Sequence, residues 1–192
     1  MAGHPSNEPI LGYTPGSPER DELQAEMDRQ TGEVTEIPCI INGEEIYTGI
    51  TTTQTIPHDH GHVLANVHLA GREEMEAACA AAVAAQATWI DLGLEGRCAV
   101  FERCADLLAG DWRMRVNAAT MLDQSKTAFQ AEIDAACELI DFWRFNVRFL
   151  QEMYESQPIS SAGCWNRLEH RPLDGFVFAI TPFNFTSIAG NL

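Results

Sequence analysis

Hydrophobic and polar positions near the amino end of the chain alternate with the period of two that is typical of β-strands. Residues 37–41 and 45–48 flank Asn42-Gly43, the dipeptide that most strongly favours a two-residue hairpin turn. Residues 51–56 and 63–69 predict a second pair of strands around a turn rich in histidine. This part of the chain is therefore predicted to form two β-hairpins.

Helical spacing occurs on both sides of these hairpins. After an extended arm rich in Pro and Gly, Pro18 and the acidic residues behind it predict a short helix over 17–30. Residues 72–89 and 111–126 predict longer helices, and two glycines break this helical zone, Gly93 and Gly110.

The segment 127–154 predicts a helix that is apolar around much of its circumference. One face carries Ile133, Ala136, Cys137, Ile140, Trp143, Val147 and Leu150, and a second face carries Leu139, Phe142, Phe145 and Phe149. Such a helix is expected to lie centrally in the fold. Asp141 and Arg144 are predicted to form a surface ion pair.

The carboxyl-terminal part predicts further strands. Residues 158–172 are predicted to form an edge strand outside the main sheet, and the unbroken apolar run 176–180 is typical of a strand buried on both faces of a parallel sheet. Pro182 ends that strand in a loop, after which Thr186 or Ser187 can cap a new helix. Ligands collect at the carboxyl ends of parallel strands, so this loop is the candidate functional region.

Composition excludes several classes of protein. The net charge of -16, with no basic stripe to offset it, argues against nucleic-acid binding. The longest stretch of low polarity, residues 77–87, is too short to span a bilayer, and no secretory signal is expected. The first residues also lack the Arg-rich, acid-poor character of a mitochondrial leader.

The six cysteines permit three interpretations. Their wide spacing without a Cys-x-x-Cys pair favours buried free thiols in a reducing compartment over three disulfides. A catalytic thiolate is the third interpretation. The cysteines are Cys39, Cys79, Cys98, Cys104, Cys137 and Cys164.

The sequence His58-Asp-His-Gly-His62 raises the question of a metal site. Three imidazoles and a carboxylate could hold zinc, but a structural zinc site normally takes ligands from a second element. We favour a polar hairpin turn in which Gly61 supplies backbone freedom and Asp59 the turn hydrogen bond, and we predict no metal.

Several segments together resemble the aldehyde dehydrogenase superfamily, and within it the branch that oxidises L-glutamate γ-semialdehyde. The resemblance rests on Asn7-Glu-Pro9, Gly16-Ser-Pro-Glu-Arg20, Ile37-Pro-Cys39, His60-Gly-His62, Gln130-Ala-Glu-Ile-Asp-Ala-Ala136, Glu138-Leu-Ile-Asp-Phe-Trp-Arg-Phe-Asn146, Ile180-Thr-Pro-Phe-Asn-Phe-Thr186 and Ala189-Gly-Asn-Leu192.

The resemblance implies an α/β fold made of amino-terminal β-hairpins, a helical layer and the first strand of a dinucleotide-binding sheet. It divides the chain into an arm and helix (1–35), the hairpins and helices of the NAD-binding domain (36–157), a strand of an oligomerisation hairpin (158–173) and the first strand with its active-site loop (174–192). We therefore expect the amino-terminal part of a longer, homo-oligomeric enzyme, inactive by itself. Since eukaryotic members of the family are mitochondrial, the absence of a recognisable leader implies a bacterial cytoplasmic protein, or a mitochondrial-matrix protein whose leader is missing.

The resemblance also implies site residues, each with a simpler alternative. Asn184 is expected to donate to the oxyanion of a thiohemiacetal, although it could merely close a turn. Thr181 is expected to contact NAD, or only its own backbone, in a binding mode without the Gly-x-Gly-x-x-Gly fingerprint. Phe185 is expected to line the aldehyde tunnel or pack in the core, and Glu138 to approach that tunnel or remain solvated.

None of the six cysteines lies in a segment that resembles the family's nucleophile motif, which is expected beyond Leu192 together with a carboxylate that activates water. Two alternatives stay open: a sister aldehyde dehydrogenase with another substrate, and a non-catalytic interaction module.

Overall fold

The computed structural model describes residues 4–190, so the first arm residues and Asn191-Leu192 lie outside it. The helices are α1 (Pro18–Thr31), α2 (Arg72–Asp91), α3 (Gly93–Ala109), α4 (Arg113–Gln124), α5 (Ala128–Ala131), a π-helical turn (Glu132–Cys137) and α6 (Glu138–Glu155). The strands are β1 (Thr35–Ile37), β2 (Cys39–Ile41), β3 (Glu44–Ile46), β4 (Thr51–Ile56) and β5 (Asp59–His68), and a 3-10 turn occupies Ile188–Gly190. The predicted α/β fold class is confirmed.

Both predicted hairpins form. Strands β2 and β3 pair antiparallel around Asn42 and Gly43, whose φ angles of 53° and 79° are those that a type I′ turn needs. Strands β4 and β5 pair antiparallel with a register shift at Thr55. The sequence did not predict β1, which pairs parallel with the distant β5, because two of its three residues, Thr35 and Glu36, are polar and Pro38 separates it from β2.

The helical layer follows the predicted breaks with one addition. The predicted helix over 127–154 is three pieces, because the π-helical turn separates α5 from α6. The main core lies where α3 and α6 pack together, and its buried members are Ala105, Leu108, Ala136, Leu139 and Ile140. The central position predicted for this helix thus holds for the face that carries Ile140.

Two details predicted for this helix are wrong. Phe142 and Phe149 on its second face are 39% and 53% exposed, so that face is only partly covered. Asp141 does not pair with Arg144, because it accepts hydrogen bonds from the Asn7 side chain and the Glu8 backbone, both at 2.7 Å. The amino-terminal arm therefore captures Asp141, and long-range docking takes precedence over the local pair.

The carboxyl-terminal segment differs from the prediction. Within the described residues no strand forms over 158–173, where only a bridge joins Ser161 to Cys164, or over 176–180. Val177 and Ile180 are 82% and 83% exposed. A strand of this kind needs hydrogen-bonding neighbours on its edges, and all five described strands lie near the amino end. The helix predicted after Thr186 appears only as the 3-10 turn.

Among the described residues no single helix meets the length and hydropathy expected of a membrane span, although α2 and α3, bent by 112° at their junction, meet that test as a pair.

Candidate active-site loop and its supports

The loop that carries Asn184 rests on the end of α4 and on the helices that follow. Residues Phe183 and Asn184 form a turn in which both side chains are exposed, Phe183 by 94%. Behind the turn, the Thr186 and Thr120 hydroxyls lie 2.5 Å apart, and Ile188 is buried. The loop thus presents the amide of Asn184 to the outside while its carboxyl-terminal end is anchored.

Lys126 makes the most direct contact with this loop. Its Nζ donates to the backbone carbonyl of Asn184 at 2.5 Å and to Oδ2 of Asp134, also at 2.5 Å. The same ammonium lies 4.9 Å from the ring centroid of Phe185, within the range of a cation–π contact. Sequence reasoning missed Lys126, which no motif singles out.

Local backbone structure fixes where Lys126 stands. Helix α4 ends at Gln124, and the capping residue Ser125 has the left-handed conformation, with φ 53°, which turns the chain sharply. Immediately afterwards, Thr127 and Gln130 form a reciprocal capping box that starts α5. Lys126 therefore lies between two defined helix ends, and its side chain is only 16% exposed.

The structure places the other predicted site residues near this loop to different degrees. Phe185 is half-buried beneath Lys126. Thr181 is exposed, and a Cβ built at Gly190 would lie 3.3 Å from its methyl group. Glu138 is exposed at the first position of α6, and no hydrogen bond or ion pair joins it to Asn184 within residues 4–190. Asn184 and Phe185 are thus brought together on one support, and Glu138 is not linked to them.

A buried polar cluster lies under the arm, and it was not predicted. Glu132 is completely buried in the π-helical turn and accepts from Tyr13 Oη at 2.6 Å, Asn117 Nδ2 at 2.8 Å and the Leu11 backbone at 2.8 Å. Arg113 forms an ion pair with Glu132 and another with Glu8 at 2.7 Å. The only sequence signal for the cluster was that Glu8 and Glu132 both lie in segments that carry the family resemblance.

The charges of this cluster are stabilised by one another. Burial raises the pKa of Glu132, but hydrogen bonds from Arg113 and Tyr13 and the Leu11 amide outweigh it and hold that pKa below its ordinary value. Burial alone would lower the pKa of Arg113. Its hydrogen bond and charge pairing with Glu132 raise that pKa by more, so the net shift is upward. Both groups therefore remain charged inside the protein.

All six cysteines are free thiols, as favoured from their spacing, but they are not uniformly buried. Cys98 and Cys137 are buried, whereas Cys164 is exposed. Burial, followed by the nearby Glu132 charge, raises the pKa of Cys137 to about 12. A thiol of that pKa is a poor nucleophile at neutral pH.

The histidine-rich segment has a different shape from the predicted turn. The turn is at Pro57-His58, and Asp59 already begins β5, so His60 and His62 belong to a strand. His58 lies 2.7 Å from the Ser125 hydroxyl, and His62 lies 3.0 Å from the Thr31 carbonyl. Over the described part of the chain, no three His, Cys, Asp or Glu side chains are grouped to hold a metal ion.

Comparison with known proteins decides the family. The sequence profile of the aldehyde dehydrogenase family matches residues 48–190, well over half of the chain. The chain belongs to the aldehyde dehydrogenase family. The resemblance stated from individual segments is thereby confirmed for the family as a whole.

Relatives within the aldehyde dehydrogenase family are named delta-1-pyrroline-5-carboxylate dehydrogenases. The protein from Agaricus bisporus is 49% identical over 189 residues, which cover 97% of this chain and 35% of the relative. The human mitochondrial protein is 44% identical over 187 residues, which cover 97% of this chain and 33% of the relative. The chain thus spans about a third of the length of these relatives.

A solved structure of the aldehyde dehydrogenase family has the same fold as this chain over the region they share. The Delta-pyrroline-5-carboxylate dehydrogenase from Mycobacterium tuberculosis, crystallised with NAD, superposes with a TM-score of 0.96 at 50% identity. The superposition covers 100% of this chain and 36% of that one. The arrangement of hairpins and helices described above is therefore that of the amino-terminal third of this enzyme.

Proposed function

We propose that this chain supplies the oxyanion-stabilising part of an NAD-dependent dehydrogenase that oxidises L-glutamate γ-semialdehyde to L-glutamate in proline catabolism. The observation that carries the proposal is the exposed Asn184 side chain, presented on a loop whose backbone is held from behind by Lys126. The names of the relatives support the substrate.

Asn184 has the chemistry that aldehyde oxidation requires. When a thiolate adds to an aldehyde, negative charge develops on the former carbonyl oxygen. A fixed amide donor stabilises that charge without waiting for water to reorganise, an effect of about 3 kcal/mol for one such donor. Lys126 holds the backbone carbonyl of Asn184, and the exposed side-chain amide stays available for the substrate.

The neighbouring residues take supporting roles in this proposal. Thr181 is exposed, so its hydroxyl fits a contact with NAD, which accepts the hydride when bound. The half-buried ring of Phe185 fits an apolar wall against the methylene groups of the aldehyde. Glu138 is proposed to face the substrate tunnel from the start of α6.

The nucleophilic cysteine and the carboxylate that activates water are proposed to come from segments beyond this chain, and the whole enzyme is proposed to be a homo-oligomer. Several relatives are named as mitochondrial. For this protein we propose either the bacterial cytoplasm or the mitochondrial matrix.

Replacing Asn184 tests this function in the enzyme that carries the chain. Asn184→Ala should lower kcat with L-glutamate γ-semialdehyde by about a hundredfold and leave the affinity for NAD unchanged. Asn66→Ala, a strand residue whose amide bonds Glu36, is the matched control and should retain normal kcat. A near-normal kcat for Asn184→Ala would refute the assignment, and a preference for another aldehyde would point to a sister enzyme.

An interaction module is the second candidate, favoured by the exposed apolar side chains Val177, Phe178 and Ile180. NADH formation by the protein that carries this sequence, measured with the semialdehyde, separates the two candidates. If the protein is an interaction module, no NADH should form, even when a nucleophilic cysteine of the family is present in the rest of the protein.

A further inference from the structure

Lys126 is the only lysine in the chain, in which the other eleven of the twelve Lys and Arg residues are arginines. Its single ammonium contacts three separate places: Asp134 in the π-helical turn, the carbonyl of Asn184 and the ring of Phe185. A lysine ammonium has three donors and is compact, so it can serve partners in different directions where a planar guanidinium cannot.

The pair between Lys126 and Asp134 is more than a surface ion pair. Their side chains are only 16% and 17% exposed, which limits screening by water. Asp134 Oδ1 is buried and has no hydrogen-bond partner among the described residues. Asp134 therefore depends on Lys126 for its one polar contact, and Lys126 is in turn held in place by a carboxylate on a helix.

We propose that Lys126 is a positioning residue, which acts through the loop backbone to aim Asn184 at the reacting oxygen. This inference rests on the proposed function, since it assigns Asn184 to the oxyanion. A carbonyl held at 2.5 Å fixes the peptide plane between Asn184 and Phe185, and with it the directions in which both side chains leave the backbone. Preorganised donors lose their effect when they are misplaced by about 1 Å.

Lys126 does not contact the substrate in this arrangement. Asp134 neutralises its charge and Asn184 and Phe185 occupy its other directions, so it offers no free donor to a carboxylate of the aldehyde. Loss of Lys126 should therefore appear mainly in kcat, leave NAD binding unchanged and affect substrate binding less, through Phe185 alone.

Enzyme kinetics give the first test. Lys126→Met, which keeps most of the length of the side chain, should lower kcat about tenfold or more without changing KM for NAD, and any rise in KM for the semialdehyde through Phe185 should be smaller than the fall in kcat. Asp134→Asn should cause a smaller loss in the same parameter, and Arg72→Met, which removes an exposed cation, should cause none. A rise in KM with normal kcat would overturn the proposal.

A double variant separates positioning from an independent effect. Lys126→Met combined with Asn184→Ala should be no slower than Asn184→Ala alone, because there is no longer a donor to aim. Losses that multiply would overturn the inference. If Asn184→Ala alone has normal kcat, the oxyanion assignment fails, and the inference about Lys126 fails with it.

The chain of 192 residues offers a structural test of the contact, independent of activity. With one lysine, acylation of a side-chain amine reports on Lys126 alone, and mass spectrometry separates it from the chain terminus. Asp134→Asn should accelerate this acylation several-fold, whereas Glu76→Gln, remote in sequence and exposed, should leave it unchanged. Lys126→Met should also speed hydrogen exchange at the amides of residues 184–186. Unchanged acylation and exchange would show that the contact does not hold the loop, even if the oxyanion role of Asn184 stands.

Discussion

Residues 7–13 and residues 158–180 contain no helix and no strand of either sheet, yet they are held very differently. The first segment buries Tyr13 and bonds through Glu8, Leu11 and Tyr13 to helices more than a hundred residues away. The second exposes Ile159 by 91% and Val177 by 82%.

The difference comes from what each segment needs. The arm is anchored by polar contacts: the Glu8 carboxylate accepts a hydrogen bond from Arg113 on α4, and the Leu11 amide donates to Glu132 in the π-helical turn. The second segment has the apolar pattern of a strand, and only a neighbouring strand can satisfy both its backbone and its side chains. A segment without a helix is thus ordered by the partners it contacts rather than by its own conformational preference.

Breaking the anchor of the arm should have the largest effect on stability. Arg113→Met leaves Glu132 buried without its cation, which should lower the free energy of unfolding by about 3–5 kcal/mol. Urea denaturation followed by circular dichroism measures this. Arg72→Met, whose partner Glu76 is exposed, should change it by less than about 0.5 kcal/mol. Equal effects would show that the cluster does not stabilise the fold.

Thiol reactivity compares the two regions with one reagent. Cys137, whose pKa is about 12, bonds to Glu132 beneath the arm, whereas Cys164 is exposed. Alkylation at pH 8 should be at least about a thousandfold slower at Cys137, because so little thiolate forms there. Peptide mass spectrometry gives both rates in one sample. Comparable rates would mean that the arm opens readily.

Acid should weaken the arm through Glu132. Its pKa in the folded protein lies below the ordinary 4.5, so the unfolded chain takes up the proton first as the pH falls. The stabilisation is complete above about pH 4.5 and is lost as the pH falls through the folded pKa, by up to about 1.4 kcal/mol per pH unit. Glu132→Gln should remove that part of the slope in denaturation curves measured below about pH 5. An unchanged slope would contradict this.

Polar substitution in the second segment should have the smallest effect. Phe178 is 77% exposed, so Phe178→Ser in this chain should change the free energy of unfolding by less than about 0.5 kcal/mol. Ile140→Ala, in the core between α3 and α6, should lower it by about 2–5 kcal/mol. A large loss with Phe178→Ser would show that the segment is packed.

Local signals in the sequence predicted local structure well. Asn42-Gly43 specified its hairpin because the turn conformation needs only those two residues. Strand β1 escaped prediction because its partner β5 lies thirty residues further on, as the pairing of Thr35 with Ala65 shows. The π-helical turn was equally invisible, since its sequence fits an ordinary helix.

The candidate site shows the same limit. Pro182 and the apolar run before it indicated a loop at Asn184, and the structure has a loop there. Lys126 could not be predicted, because its contact with Asn184 joins positions 58 residues apart and depends on how α4 ends. Asp134 lies in the segment 130–136 that carries the resemblance, but its pairing with Lys126 depends on its position in the folded chain.

The docking of the arm also has a consequence for synthesis on the ribosome. Glu8 is synthesised 136 residues before its partner Arg144. At about 5–20 residues per second, the arm waits for roughly 7–27 seconds before its binding site exists. During that interval the arm is an unbound segment, open to proteases and chaperones, and it can dock only after α6 has left the exit tunnel.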